Sequence, residues 1–254
     1  MESNDRFDRS ALSRLGNQAH VRWVHPEHIA GCQAREDFFL LLDREERERH
    51  NRLRFASDRA NYFAAHVLLR LTLSQYVDLP PSAWRFRREV NGRPEIANDN
   101  VPPLRFNLTH TEGLSACVVT LTDDCGIDAE RLYSRHELTA VARRMFSPAE
   151  VRQMEHLEGD RRLEYFYDRW TLREAYVKAR GTGIFSPTRS IEFDIDADGR
   201  IKAQFRAELR DDGQHWQFKL LRLGSRHVIS VALASGKTIV ARQFGPQGII
   251  PRLR

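Results

Sequence analysis

In the stretch SDRANYFAAHVLLRLTLSQYV (57–77), Ala60, Phe63, Ala64, Val67, Leu68 and Leu71 recur at the three- and four-residue intervals of one buried helical face. A second block, DRRLEYFYDRWTLREAYVKARG (160–181), runs as a helix from about Asp160 to Arg180 and ends at Gly181, the residue type that closes helices in the left-handed conformation. After each block the period shortens to that of strands. Helix, strands, helix, strands is the order that most restricts this chain. Without strand–helix alternation there is no βαβ unit, so the sequence predicts an α+β fold in two halves. YFAAHVLLR (62–70) and YFYDRWTLR (165–173) share Tyr, Phe, Leu and Arg at matching positions, which supports two related halves.

Local signals place the remaining elements. FFLLLDREERERHNRLRF (38–55) reads as one short helix leading into a basic turn; Ser57 can cap the helix that follows, and Pro80-Pro81 stops it. WRFRREVNGRPEI carries an Asn-Gly turn. SACVVTL precedes Thr122-Asp123-Asp124, so CGIDAER is expected as the second strand of a hairpin. FSPAE, with Ser147, Pro148 and Glu150, is a capping box with proline in the first helical turn. RSIEFDID, RIKAQFRAEL, HWQFKLLRL and HVISVALAS are four β-rich stretches with Asp-Gly turns among them. The expected division is a flexible arm over 1–20, an N-terminal half over 21–121, a C-terminal half over 122–235 and a tail over 236–254.

Composition excludes some classes. With 41% hydrophobic and 30% charged residues the chain is globular rather than disordered. No apolar run approaches the roughly 20 residues of a membrane span, and MESNDRFDRS has no secretory h-region. Cys32, Cys117 and Cys125 form no CxxC pair, which fits reduced thiols in a cytoplasmic protein. A net charge of +5 and a pI near 9.4 favour acidic or phosphorylated partners without choosing among them.

The chemistry concentrates in CGIDAERL. In a strand Gly126, Asp128 and Glu130 point to one face, Ile127 and Ala129 to the other. Two carboxylates on one face make either a solvated acidic edge or a cation site. In the second long helix Glu174 and Lys178 fall on the stripe of Leu163, Phe166, Tyr167, Trp170 and Val177, the face reserved for contact with the rest of the protein. An inward ion pair is costly unless something there uses it. Magnesium takes oxygen ligands, usually one or two protein carboxylates with waters and substrate phosphates in the remaining positions; two acids from a strand and one from a helix, Asp128, Glu130 and Glu174, would supply such a half-open shell, and no His/Cys cluster suggests zinc.

The motifs NGRP, FNLTHT, GIDAE, FSPAE and WTLREAYVKARGTGI, in that order between about residues 45 and 235, resemble those of the 4′-phosphopantetheinyl transferases of the surfactin-synthetase-activating type. The resemblance implies two similar α+β halves related by a pseudo-twofold, each a long helix packed on a small, mostly antiparallel sheet. It implies that Asp128, Glu130 and Glu174 hold Mg²⁺ against the pyrophosphate of coenzyme A and that Lys178 contacts phosphate near the leaving group. Thr109 and His110 stand where the family commonly has Ser-His, and Arg93 where it has lysine, both at coenzyme A. Ala129 replaces a larger aliphatic, which bears on packing behind the strand. Glu150 belongs to a family motif, but its capping role suffices. Arg49, Arg54 and Arg59 resemble the family's grip on the nucleotide phosphates.

The expected activity is transfer of the phosphopantetheine arm to a serine of an acidic apo acyl or peptidyl carrier protein, releasing 3′,5′-ADP. Glu174 and Lys178 are the expected catalytic pair, with Glu174 either base or metal ligand. A monomer with no membrane partner and no specific nucleic-acid partner is expected. The rival readings are a basic nucleic-acid-binding module and a non-catalytic relative that binds coenzyme A.

Overall fold

The computed structural model of the chain describes residues 9–31, 35–89, 92–134, 137–182, 188–209, 211 and 213–245. The expectations placed on residues 1–8, Cys32, Asn91, residues 183 and 184 of the last motif, Asp212 and residues 246–254 lie outside these. The chain divides into two units. The first runs to Asp123 and resumes at Lys237; the second is Asp124–Gly236.

The first unit opens with α1 (Arg9–Arg14), which buries Ala11 and leads through buried Leu15 into β1 (Gln18–Val24). The expected arm over 1–20 is therefore ordered structure from Arg9 on, because Ala11 and Leu15 join the apolar core. After α2 (Pro26–Ala30), the single helix expected over 38–55 is two, α3 (Arg35–Leu41) and α4 (Arg44–Arg52). Asp43 divides them. Its carboxylate accepts from Glu46 N at 2.8 Å, and Glu46 accepts from Asp43 N at 2.9 Å, a capping box that begins a new helix. The long helix α5 (Ala56–Leu73) starts after Phe55 without a side-chain cap, so Ser57 lies inside its first turn. It ends at Ser74, before the two prolines, and buries Phe63, Ala64, Val67, Leu68 and Leu71 at about 1.5–3 kcal/mol per large side chain. β2 (Phe86–Arg88) and β3 (Pro94–Ile96) form a hairpin, and β4 (Leu104–Thr111) pairs antiparallel with β5 (Leu114–Leu121).

In the second unit β6 (Cys125–Arg131) is followed by α6 (Leu138–Met145), α7 (Pro148–Glu155) and α8 (Gly159–Arg180). Gly181 closes α8 at φ 63°, in the left-handed region as expected. β7 (Ile191–Ile195) and β8 (Ile201–Phe205) make a two-stranded sheet, while β9 (Gln217–Leu223) and β10 (His227–Leu233) join β6 in the antiparallel order β6-β10-β9. β6 is thus not the hairpin partner of β5. Its neighbour is β10, about one hundred residues on, with Asp128 opposite Ser230. The polar turn between β5 and β6 fits a hairpin and a crossing between sheets equally well.

The chain then returns to the first unit. β11 (Thr238–Gln243) pairs parallel with β1, completing the order β11-β1-β5-β4. Part of the expected tail is therefore a sheet strand, held by Phe244 N to Trp23 O at 2.7 Å. Lys237 secures the re-entry, its ammonium 3.3 Å from Leu15 O and 3.2 Å from Leu121 O. Each unit is a long helix on a small, mostly antiparallel sheet: α5 on β4 and β5, α8 on β6 and β10. Among the described residues no helix is long and apolar enough to cross a membrane.

Candidate active site

Strand alternation puts Gly126, Asp128 and Glu130 on the face of β6 that packs against α8. Ile127 and Ala129, 0% and 3% exposed, occupy the other. Asp128 is buried and Glu130 half-buried. α8 is covered on two sides, with Phe166 and Tyr167 in one apolar cluster and Leu172 and Tyr176 in another. Glu174 and Lys178 are half-buried between those extremes.

Lys178 of α8 reaches across to β6. Its ammonium donates to Asp128 Oδ1 at 2.6 Å and to Ile127 O at 3.2 Å. Glu174 is pushed above the ordinary carboxylate range, first by burial and then by the charge of Asp128, with Lys178 opposing. Asp128, Glu174 and Lys178 therefore meet as two mutually repelling acids and one cation. The next contact along the same face is Thr171 Oγ1 to Ser230 Oγ at 2.7 Å. Beyond it, buried Asp168 accepts from Arg222 at 2.6 Å.

Among the described residues no group of three or more His, Cys, Asp or Glu side chains is arranged to hold a metal ion. The chemistry of the donors nevertheless fits magnesium. They are carboxylate oxygens alone, and Asp128 and Glu174 destabilise each other's charge in a place where a hard cation would relieve them.

In the first unit a cavity of ≈ 690 Å³ is lined by Arg49, Arg52, Arg87 and Arg88, by Asp43, Glu45, Glu46 and Glu48, and by Tyr62, His66 and Phe86 among others. Arg49 lies 5.9 Å over the Tyr62 ring. Glu46 in its wall is held near pH 2: burial raises it, but the His66 hydrogen bond and the charges of His66 and Arg70 outweigh that. The other basic residues singled out by sequence differ from Arg49. Arg54 is exposed and lies 5.5 Å over Phe55, whereas Arg59 donates to the carbonyls of Leu53 and Arg54 at 2.8 and 3.1 Å. Arg93 is buried against Glu95 at 3.0 Å. Thr109 is buried and His110 exposed, on opposite faces of β4. Tyr62, His66, Arg87 and Arg88 were not singled out by sequence, where nothing distinguishes them from an ordinary helix face and hairpin.

The second unit thus carries an acidic strand face met by a helix lysine, and the first unit, within its own fold, a cavity lined by charged side chains of both signs; each is polar machinery of the kind an enzyme uses rather than plain core. The comparisons with known proteins are specific. A family model described as the 4′-phosphopantetheinyl transferase superfamily matches residues 124–232, and a model of the 4′-phosphopantetheinyl transferase N-terminal region matches 33–121. The chain is 33% identical over 174 residues to 4′-phosphopantetheinyl transferase HetI of a Nostoc species, covering 68% of this chain and 73% of that one. It is 26% identical over 181 residues to 4′-phosphopantetheinyl transferase Sfp of Bacillus subtilis, covering 71% and 79%. Among solved structures, a holo-(acyl-carrier-protein) synthase from Bacillus anthracis aligns at 23% identity and TM-score 0.36 over 43% of this chain and 93% of that one. The chain belongs to the 4′-phosphopantetheinyl transferase superfamily.

Proposed function

We propose that this enzyme transfers the 4′-phosphopantetheine arm of coenzyme A to a serine of an apo carrier protein, with Mg²⁺ as cofactor and 3′,5′-ADP as the second product. The observation that carries the reading is the opposition of Asp128 and Glu174 with Lys178 at hydrogen-bond distance from Asp128. Asp128, Glu130 and Glu174 would hold the ion, which when bound neutralises pyrophosphate charge.

The chain's own residues account for the rest of the chemistry. The serine oxygen forms a bond to the phosphorus that carries pantetheine, and the bridging P–O bond of the pyrophosphate breaks. Lys178 stabilises charge on the departing nucleotide. Glu174, raised by burial and by Asp128, takes the serine proton when it is not committed as a ligand. In the first unit, Arg49 and the cavity it lines would receive the nucleotide end. The formal charge of +5 suits a carrier whose docking surface is acidic.

Intact-mass analysis tests the reading. Several apo carrier proteins are incubated with the enzyme, coenzyme A and Mg²⁺. At least one should gain the mass of the arm, and EDTA should abolish the gain. A broad panel that stays apo while coenzyme A still binds would establish the non-catalytic relative instead.

A further inference from the structure

We infer that Gly126 is a positioning residue of the active site: its lack of a side chain lets the backbone of α8 lie directly on β6, and this contact sets the separation of Asp128 from Lys178 and Glu174. The inference rests on the reading of those three residues given above. A Cβ built at Gly126 would stand 2.0 Å from Ala175 O and 2.5 Å from Ala179 N. Both are backbone atoms of α8, so no side-chain rotation relieves the clash. Gly126 is not among the glycines at positive φ, so its backbone suits any residue and only space excludes a side chain. The helix residues on either side are Ala175 and Ala179, themselves 0% and 1% exposed.

The position of this contact gives it a functional consequence. Ile127, whose carbonyl receives Lys178 at 3.2 Å, follows Gly126 directly; Asp128, which receives it at 2.6 Å, is one residue further. Non-bonded carbon atoms settle at roughly 3.5–4.0 Å from their neighbours, so a methyl at 126 moves helix and strand apart by on the order of 1 Å. The lysine and glutamate ride on that helix, the aspartate on that strand. A displacement of about 1 Å in a catalytic constellation costs about a hundredfold in rate.

Gly126→Ala is compared with Ile127→Val, which alters the opposite face, and with Asp128→Ala. For each, folding by circular dichroism and melting, kcat, KM for coenzyme A and the Kd for Mn²⁺ are measured. Gly126→Ala should fold, lose about a hundredfold in kcat with KM within about threefold, and bind Mn²⁺ about tenfold more weakly. Full kcat and unchanged Mn²⁺ binding, with or without a lower melting temperature, would reduce Gly126 to a packing position. If Gly126→Ala does not fold, Ser230→Val supplies the answer, because it wedges the same helix from the same sheet at the Thr171 contact. A folded Ser230→Val with normal kcat overturns the inference; one with reduced kcat and ordinary KM supports it. Asp128→Ala separates the two levels: normal turnover there sinks the underlying reading, whereas its loss alongside an active Gly126→Ala sinks only the role of Gly126.

Discussion

Arg173 of α8 is fully buried and hydrogen-bonded to Glu150, the same glutamate that completes the capping box of α7. Its guanidinium also donates to Ile191 O at 2.7 Å and lies 4.6 Å over Phe146. The first unit repeats the device. Arg70 of α5 donates to Glu46, the capping-box glutamate of α4, at 2.7 Å, to Trp84 O at 2.8 Å, and lies 5.1 Å over Phe86. Arg70 and Arg173 are the arginines that end the two similar stretches YFAAHVLLR and YFYDRWTLR. The matching sequence thus marks a shared tie between long helix and capped short helix. A capping motif alone explains the ends of α4 and α7 but not why their glutamates face inward.

Breaking such a tie leaves a buried charge without its counter-ion. Arg173→Met and Glu150→Gln should each destabilise the second unit by about 3–5 kcal/mol, the scale for removing one partner of a buried pair. Urea denaturation of each single variant checks this. The double variant Arg173→Met/Glu150→Gln should recover part of the loss, since neither member of the pair is left charged against a missing partner, and only buried Arg169, 3.9 Å from Glu150, loses a neighbour. Strict additivity would show that the two side chains act separately.

Two buried groups give opposite pH dependence. His20 is lowered from 6.5 to about 4, chiefly by burial and then by Arg22, Arg14 and Arg242. Its Nδ1 lies 2.8 Å from the Tyr76 hydroxyl and its Nε2 2.9 Å from Gln18 Oε1, a set that the neutral ring satisfies. As pH falls from 6.5 to 4 the unfolded chain takes up this proton and the folded one does not, so stability declines. Asp168 is raised from 3.8 to about 6 by burial, which outweighs Arg222. Here the folded state binds the proton first, so stability declines as pH rises from 3.8 to 6. His20→Gln should flatten the acid-side loss and Asp168→Asn should steepen it. Denaturation free energies at half-unit steps between pH 4 and 7 measure both slopes; equal slopes in all three proteins would contradict the assignment.

The sequence made the periodic features readable. Both long helices follow from their apolar spacing, and the two faces of β6 follow from strand alternation. What eluded it was set by distance along the chain or by the ambiguity of charge. β11 pairs with β1 more than 200 residues away, and no local pattern carries that. The run Asp43–Arg54 looks like one solvated face, yet Asp43 and Glu46 are withdrawn from it to cap α4 and hold Arg70. Glu174 and Lys178 have the spacing of a surface pair, and only the approach of β6 shows that Lys178 turns to Asp128. Gly126 stood in the quoted motif, but the helix backbone it admits lies about fifty residues on and is invisible from the strand.

The two faces of β6 should separate chemistry from stability. Asp128→Ala should lower turnover at least about a hundredfold, the scale for losing a major electrostatic stabiliser. Its stability should change little, because one repulsive neighbour of Glu174 and one partner of Lys178 vanish together. Glu130→Ala should be milder, since water can take a vacated magnesium position. Ile127→Ala, fully buried on the reverse face, should instead lose about 2–5 kcal/mol while activity per folded molecule is kept. Turnover and melting curves for the three variants read both quantities. Near-normal turnover in Asp128→Ala would leave the acids as an unreactive edge.

The arginines of the first unit divide by what they touch. Arg49 lines the cavity and is exposed, so its guanidinium is available to an anionic ligand. Arg59 is half-buried, with its guanidinium engaged on the carbonyls of Leu53 and Arg54. A hydrogen bond to a charged group contributes about 1.5–3 kcal/mol. Arg49→Ala should therefore raise KM for coenzyme A about tenfold or more, with melting unchanged. Arg59→Ala should do the reverse: KM within about twofold, and a stability loss of about 1 kcal/mol from the loop it braces. Steady-state kinetics with coenzyme A as the varied substrate, beside thermal melts, distinguish the two. If Arg59→Ala carries the KM effect and Arg49→Ala does not, the nucleotide end binds against the 53–55 loop and the start of α5 rather than in the cavity.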